Sequence, residues 1–478
     1  MLNTLIVGAG PGGTGPLIWA AQIGALQAWL DSGVALVDGS AAIGGTIGRY
    51  IINSDSFGGA YLELLDFRSA REAFEPLVRD PATHEIERMR RGFPPLATVG
   101  QYLRRLGVIL ARTLADSDGG EFIPHASVRS LSYGTDGALT AEIAEASGGT
   151  ARITAKTAIL ALGGRHDWAP HWTTEILPGV RLEDYPAAKI MSSDLLFTAE
   201  GRQRAAAIIG AARSSRVAIL GGSHSGFSAA WVMTTLMPEV AFSAGDIAIF
   251  MRREPPIFYE NREAAEADDY PVSSADICPR TLRVHRLGGL RGDGRELWRC
   301  LTRRFGTVRE ERVAMIPLHD RALSPMALRR HLDEAALIVT AFGYRARTVP
   351  IFDARGRRIA LNADRGGTAV GPDGRLLDVS GQPLANLFCI GLGTGYRPLA
   401  SMGGEASFTG QLNSLWLYQN DIGRVVYEGI RRSASQSSPR CSRGFRSREK
   451  MAIAHERRAR IGNAATASEE ITHQRDRN

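Results

Sequence analysis

The chain reads as an α/β protein made of two Rossmann-like dinucleotide-binding domains, the first carrying a three-strand β-meander and split around the second. Three observations predict this. Two aliphatic runs each end in a glycine turn that opens an apolar helical pattern, at residues 8–13 and 221–226. Three short alternating segments, parted by turn residues, lie between them. Two more apolar strands, 336–340 and 386–390, run into glycines of their own. A length of 478 residues is enough for more than one core.

The first run, Thr4-Leu-Ile-Val7, enters Gly8-Ala-Gly10-Pro-Gly-Gly13. At that spacing Gly8 permits the tight turn, Gly10 lets backbone approach a pyrophosphate, and Gly13 lets helix pack on strand. The following helix start offers unpaired N–H groups and partial positive charge to phosphate. A second strand, Val34-Ala-Leu-Val37, ends in Asp38, where a ribose hydroxyl would need an acceptor. Gly44-Gly45 comes soon after, and predicts that the chain folds back over the same ligand.

Residues 61–93 are polar with helical spacing, which predicts a solvated excursion, and 102–111 has the i, i+3, i+4 pattern of an amphipathic helix. Residues 126–133, 139–143 and 151–155 alternate as short strands between Gly-rich turns. They feed an apolar strand at 158–162 that ends in Gly163. A plain Rossmann unit has no such meander; the FAD domains of flavoproteins do.

The second unit starts at Arg216-Val-Ala-Ile-Leu220 and turns through Gly221-Gly-Ser223-His224-Ser225-Gly226. Its next strand, 246–251, ends in Arg252-Arg253 where the first unit has its acid. A guanidinium pairs with phosphate in bidentate fashion, so this end suits a ribose carrying a 2′-phosphate. The acid-marked site thus suits FAD and the arginine-marked site NADPH. The strand 336–340 ends in Ala341-Phe-Gly343-Tyr344, and 386–390 enters Gly391-Leu-Gly393-Thr-Gly395-Tyr-Arg397. A helix is expected at about 407–418, with its N-terminus able to face a flavin.

These motifs, in this order, resemble the two-dinucleotide-binding-domain flavoproteins, and within them the FAD- and NADPH-dependent monooxygenases nearest the N-hydroxylating lysine and ornithine branch. The resemblance covers residues 1–430. It implies an FAD domain at 1–200 and 335–430, an inserted NADPH domain at 201–334, and a basic disordered tail at 431–478. Gly8, Gly10, Gly13, Asp38, Gly45, Gly163, Gly343 and Gly393 would contact FAD or close its site, and Gly221, Ser223, Ser225, Gly226, Arg252 and Arg253 would hold NADPH. Ser223 departs from the family's usual second glycine. The resemblance also implies oxygenation through a C4a-hydroperoxyflavin, with molecular oxygen as co-substrate and a small amine or amino acid as acceptor. Asn53, Asp55, His224 and Arg397 are the candidate active-site residues, each with an ordinary structural role as its alternative. An NADPH-dependent flavin reductase serving a protein or quinone is the competing activity, and homo-oligomerisation is left open.

Other classes fit less well. The formal charge of +7 belongs entirely to residues 431–478, which hold twelve Lys/Arg and five Asp/Glu, so the folded body is neutral and nucleic acid is not implied. No apolar run reaches membrane-spanning length. Four scattered cysteines with no C-x-x-C suit the reducing cytoplasm and exclude a redox dithiol. Ser223 between strand and helix mimics a hydrolase nucleophile elbow, and His166 with His171 mimics a metal pair; neither has the further partners such chemistry needs.

Overall fold

A computed structural model describes residues 1–166, 169–177, 179–302, 308–318 and 324–436. β1 (Leu2–Val7) is the centre of the first sheet, and its Leu5 and Ile6 are fully buried. It pairs in parallel with β2 (Val34–Val37), in register Thr4 to Val34, and β2 pairs in parallel with β3 (Gly120–Ile123). The meander is present as β4 (Ala126–Tyr133), β5 (Leu139–Glu145) and β6 (Thr150–Leu160), paired antiparallel.

The strands expected at 151–155 and 158–162 are one strand. Lys156-Thr157 carries no turn signal, and the Thr157 hydroxyl donates to the Asn3 carbonyl at 2.9 Å, stitching the middle of β6 to β1. The first half of β6 therefore pairs with β5, while its second half lies parallel to both β1 and the returning strand Pro383–Cys389.

The second sheet is wholly parallel, in the order Ile190–Ser192, Leu337–Thr340, Val217–Leu220, Ile247–Met251, Val313–Pro317. This sheet draws strands from both sides of the segment expected as the inserted domain. The strand at 190–192 joins the second sheet before residue 201, and Leu337–Thr340 pairs with Val217–Leu220 beyond residue 334. An apolar strand reads the same whichever sheet it completes, and only the pairing assigns it.

Three other expectations change. Residues 61–93 are helical but not merely solvated: Phe74, Leu77 and Ile86 are fully buried in the core that also takes the helix Leu96–Asp116. Residues 407–414 are not helical; short helices occupy Leu415–Gln419 and then Asp421–Gln436. Gly410 and Asn413, poor helix formers, sit where the helix would have begun. The last helix runs six residues into the expected tail, and residues 437–478 lie outside the described part. Among the described residues no helix is long and apolar enough to cross a membrane.

Candidate functional site

The two glycine turns are built by the same contacts. A Cβ on Gly8 (φ +105°) would sit 2.3 Å from the Ala161 carbonyl oxygen, and one on Gly221 (φ +133°) would sit 2.5 Å from that of Ala341. A Cβ on Gly13 would lie 1.9 Å from the Gly8 oxygen, and one on Gly226 would lie 1.8 Å from the Gly221 oxygen. Each helix is thereby pulled down on its own strand, which aims its first N–H groups at the crevice. Neither helix start, Gly10 nor Ser223, has a side-chain cap, whereas Asp80, Thr198 and Ser324 cap theirs.

The turns differ at the end of the neighbouring strand. The Asp38 carboxylate accepts the Ala9 N–H at 2.6 Å and the Ser40 N–H at 2.7 Å, so its direction is set before any ligand arrives. Arg252 and Arg253 are exposed, and no carboxylate pairs with them among the described residues. The second glycine turn folds over the first as expected: the Gly44 N–H donates to the Ala9 carbonyl at 2.9 Å, and a Cβ on Gly45 would be 3.1 Å from the Gly10 Cα. Gly163 is different in kind, because a Cβ there would meet no protein atom. It leaves room rather than relieving a clash. A bare glycine-lined crevice with an oriented carboxylate fits a dinucleotide, and FAD would lie along it.

Asn53, Asp55 and His224 come together, with partners that the sequence did not mark. Asn53 Nδ2 donates to both oxygens of Asp293, at 3.2 and 2.9 Å, and burial raises the Asp293 carboxyl above its ordinary range while the Asn53 bond opposes this. His224 is the first residue of its helix; its Nε2 is shielded from solvent and has no hydrogen-bond partner. Burial lowers the imidazole pKa, the Asp55 charge raises it, and Arg291 lowers it again. Arg291 lies over the Phe258 ring at 4.4 Å and donates to the Arg286 carbonyl. Ser54 is taken up structurally: it is buried, 2.6 Å from the Tyr61 hydroxyl.

Arg397 lies elsewhere. With Gly343 and Gly393 it borders a cleft of about 540 Å³ that His166, His171, Phe342, Tyr344 and Arg345 also line. Gly393 (φ +83°) must lack a side chain, since a Cβ would be 2.5 Å from the Arg345 carbonyl carbon. Beside the cleft, Asp194 gathers Tyr50, the Tyr344 hydroxyl at 3.1 Å and Arg49 at 2.9 Å. Burial and that carboxylate push the Tyr50 hydroxyl up to about 12. Asp194 stands in an unremarkable Ser-Ser-Asp and carries no sequence signal; Arg291 and Asp293 follow a glycine pair, which hinted at a turn and nothing more.

No protein-family model matches the chain. It is 31% identical over 432 residues to a CMP-5′-(3-aminopropyl)phosphonate hydroxylase from Streptomyces rubellomurinus, an alignment spanning 89% of this chain and 97% of that one. Among solved structures it is similar to L-lysine 6-monooxygenase from Pseudomonas syringae, with TM-score 0.52, 14% identity and coverage of 91% and 100%. It is also similar to an FAD-bound cadaverine monooxygenase from Erwinia amylovora, with TM-score 0.50, 11% identity and coverage of 94% and 99%. At these identities the two structures speak for the fold.

Proposed function

The chain belongs to the FAD- and NADPH-dependent N-hydroxylating monooxygenases, and from that premise we propose that its substrate is a primary amine on a short alkyl chain whose far end is a phosphonate joined to a nucleotide. The observation that carries this is the similarity, over 89% of this chain and 97% of the other, to the Streptomyces hydroxylase named for such a compound. The reaction balances as amine plus O₂ plus NADPH plus H⁺ giving hydroxylamine, NADP⁺ and water. The family sets aside the reductase alternative.

Bound FAD and NADPH supply the two electrons and the activation of oxygen. The chain's own residues bind, orient and shield. Asp38 takes the ribose hydroxyls of FAD, and the uncapped helix start after Gly10 takes its pyrophosphate. Gly221, Ser223, Ser225 and Gly226 present the second helix start to NADPH, and Arg252 with Arg253 clamp its 2′-phosphate. Asn53 spends its amide N–H on Asp293 and so keeps its carbonyl oxygen to accept an N–H of the substrate, leaving the amine lone pair free to react. His224, held neutral by burial, adds no positive charge that would repel or protonate an amine.

The test is product analysis under NADPH turnover. CMP-5′-(3-aminopropyl)phosphonate, free 3-aminopropylphosphonate, lysine and cadaverine would be compared by mass spectrometry for the hydroxylamine. The first should be turned over with the highest kcat/KM. A clear preference for lysine or cadaverine would overturn the substrate reading.

A further inference from the structure

Resting on the reading of Asn53 as the acceptor for the substrate amine, we infer that Asp293 is the positioning residue that gives this acceptor its polarity. By holding the Asn53 amide with its carbonyl oxygen turned outward, it makes the site select a nucleophile that still has an N–H to donate.

Asn53 is fixed from two sides. Its backbone is pinned within the first unit: the Leu96 N–H donates to the Ile52 carbonyl at 3.0 Å, and the Ser54 N–H donates to the Pro94 carbonyl at 2.9 Å. Those bonds leave rotation about the side-chain bonds open. Asp293 closes it, since both of its oxygens accept from Asn53 Nδ2, at 3.2 and 2.9 Å.

The carboxylate comes from the second unit. Asp293 stands in Gly292-Asp-Gly294 at the start of the helix Gly292–Thr302, whose Leu297 and Trp298 are buried in the core of the second sheet. A Cβ on Gly292 (φ +50°) would be 3.1 Å from Cγ of Phe93, so a glycine there lets the helix start lie against the first unit. Phe93 stacks on Phe57 at 4.7 Å, and Phe57 meets the buried Phe258 edge-on at 5.7 Å. The bond thus crosses between the units next to an aromatic cluster, in surroundings dry enough to raise the Asp293 carboxyl above its ordinary range.

Hydrogen-bond chemistry then decides which way the amide faces. An ionised carboxylate accepts and cannot donate, so it admits the amide NH₂ and rejects the amide oxygen. Among the described residues no Lys, Arg or His pairs with Asp293, and the Asn53 carbonyl oxygen takes no hydrogen bond. A substrate N–H bound to that oxygen leaves the nitrogen lone pair directed elsewhere. A tertiary amine or a thioether has no such hydrogen and would leave the acceptor unpaired, at about 1–3 kcal/mol. A carboxylate in a first helical turn also steadies its own helix, by about 0.3–1 kcal/mol, and that role alone would move Tm without changing which amine is preferred.

The experiment uses FAD-loaded full-length enzyme with NADPH, the primary amine that the wild type hydroxylates fastest, and the N,N-dimethyl derivative of that amine. Asp293→Asn can donate as well as accept, which frees the Asn53 amide to turn. Its kcat/KM for the primary amine should fall about tenfold or more, and the preference over the dimethyl derivative should shrink with it. Flavin absorbance per chain should be retained, and Asp293→Glu should recover part of the loss. Asn53→Ala should lose as much, and Asp293→Ala added to it should cost nothing further, because one residue acts through the other. The inference is overturned if Asp293→Asn leaves the preference unchanged, if it lowers turnover of both amines in equal proportion, or if the losses of the two alanine variants add. The two readings fail separately. If Asn53→Ala lowers kcat/KM and Asp293→Asn does not, Asn53 stands as the acceptor and Asp293 falls as its positioning residue. If Asn53→Ala leaves kcat/KM unchanged, both fall.

Discussion

The glycine turns at 8–13 and 221–226 share their steric construction to within a few tenths of an ångström, yet they end differently. Gly8 against Ala161 matches Gly221 against Ala341, and Gly13 over Gly8 matches Gly226 over Gly221. Backbone sterics therefore make a generic phosphate-facing helix start twice. What distinguishes the turns is one strand end: a carboxylate already fixed by two backbone N–H groups in the first, and two exposed guanidinium groups in the second. A carboxylate repels a 2′-phosphate, whereas paired arginines require one to neutralise them. On the proposed assignment both turns would bind a dinucleotide, and the choice between them would rest with Asp38, Arg252 and Arg253.

The largest expected effect tests the shared construction. Gly13→Ala drives a methyl into the Gly8 carbonyl, and overpacking of this kind costs about 1–3 kcal/mol or more. The purified variant should carry little flavin, read as absorbance per chain. Gly226→Ala should keep the flavin but no longer saturate with NADPH. If both variants lost flavin equally, the turns would not be assigned to separate cofactors.

Replacing Arg252 and Arg253 together by alanine comes next. Charge-assisted bonds contribute about 1.5–3 kcal/mol, so the KM for NADPH should rise about 10- to 100-fold while that for NADH barely moves. An equal rise for both would remove the phosphate clamp. Asp38→Ala should weaken FAD binding about tenfold, because the ribose acceptor and the Ala9 N–H bond go together. Ultrafiltration of the holoenzyme would show it.

The smallest effect concerns pH. Burial holds His224 below its unfolded value of about 6.5. Between that value and the lower folded one, the unfolded chain binds the proton first, so stability falls as pH falls. Above about pH 6.5 this contribution is flat. His224→Asn should flatten part of the acid-side decline in Tm; an unchanged slope would show that His224 is not shielded. His166, His285 and His331 are lowered by burial as well and keep the remaining slope.

How much of this could be read from the chain depended on whether the physics was local. Glycine spacing, the Asp38 strand end and the alternation of β4 and β5 are short-range signals, and the structure repeats them. Sheet membership is not local: Leu337–Thr340 looks like any buried strand until Val217–Leu220 pairs with it. The same holds for side-chain partners. Asn53 meets Asp293 across 240 positions, and Asp194 meets Tyr50 and Tyr344 across 144 and 150. Charge hid the burial of 61–93: Phe74, Leu77 and Ile86 are few among many charged residues, yet all three are fully buried. Arg397 was singled out as a candidate active-site residue, and its neighbours Phe342 and His166 became visible only when distant segments closed around one cleft.

A structure of the enzyme with FAD and NADP⁺ bound tests the comparison most directly. The account predicts an FAD ribose hydroxyl within hydrogen-bond distance of Asp38 and the NADP⁺ 2′-phosphate between Arg252 and Arg253. A 2′-phosphate bound elsewhere, or FAD adenosine in the 221–226 turn, would contradict it.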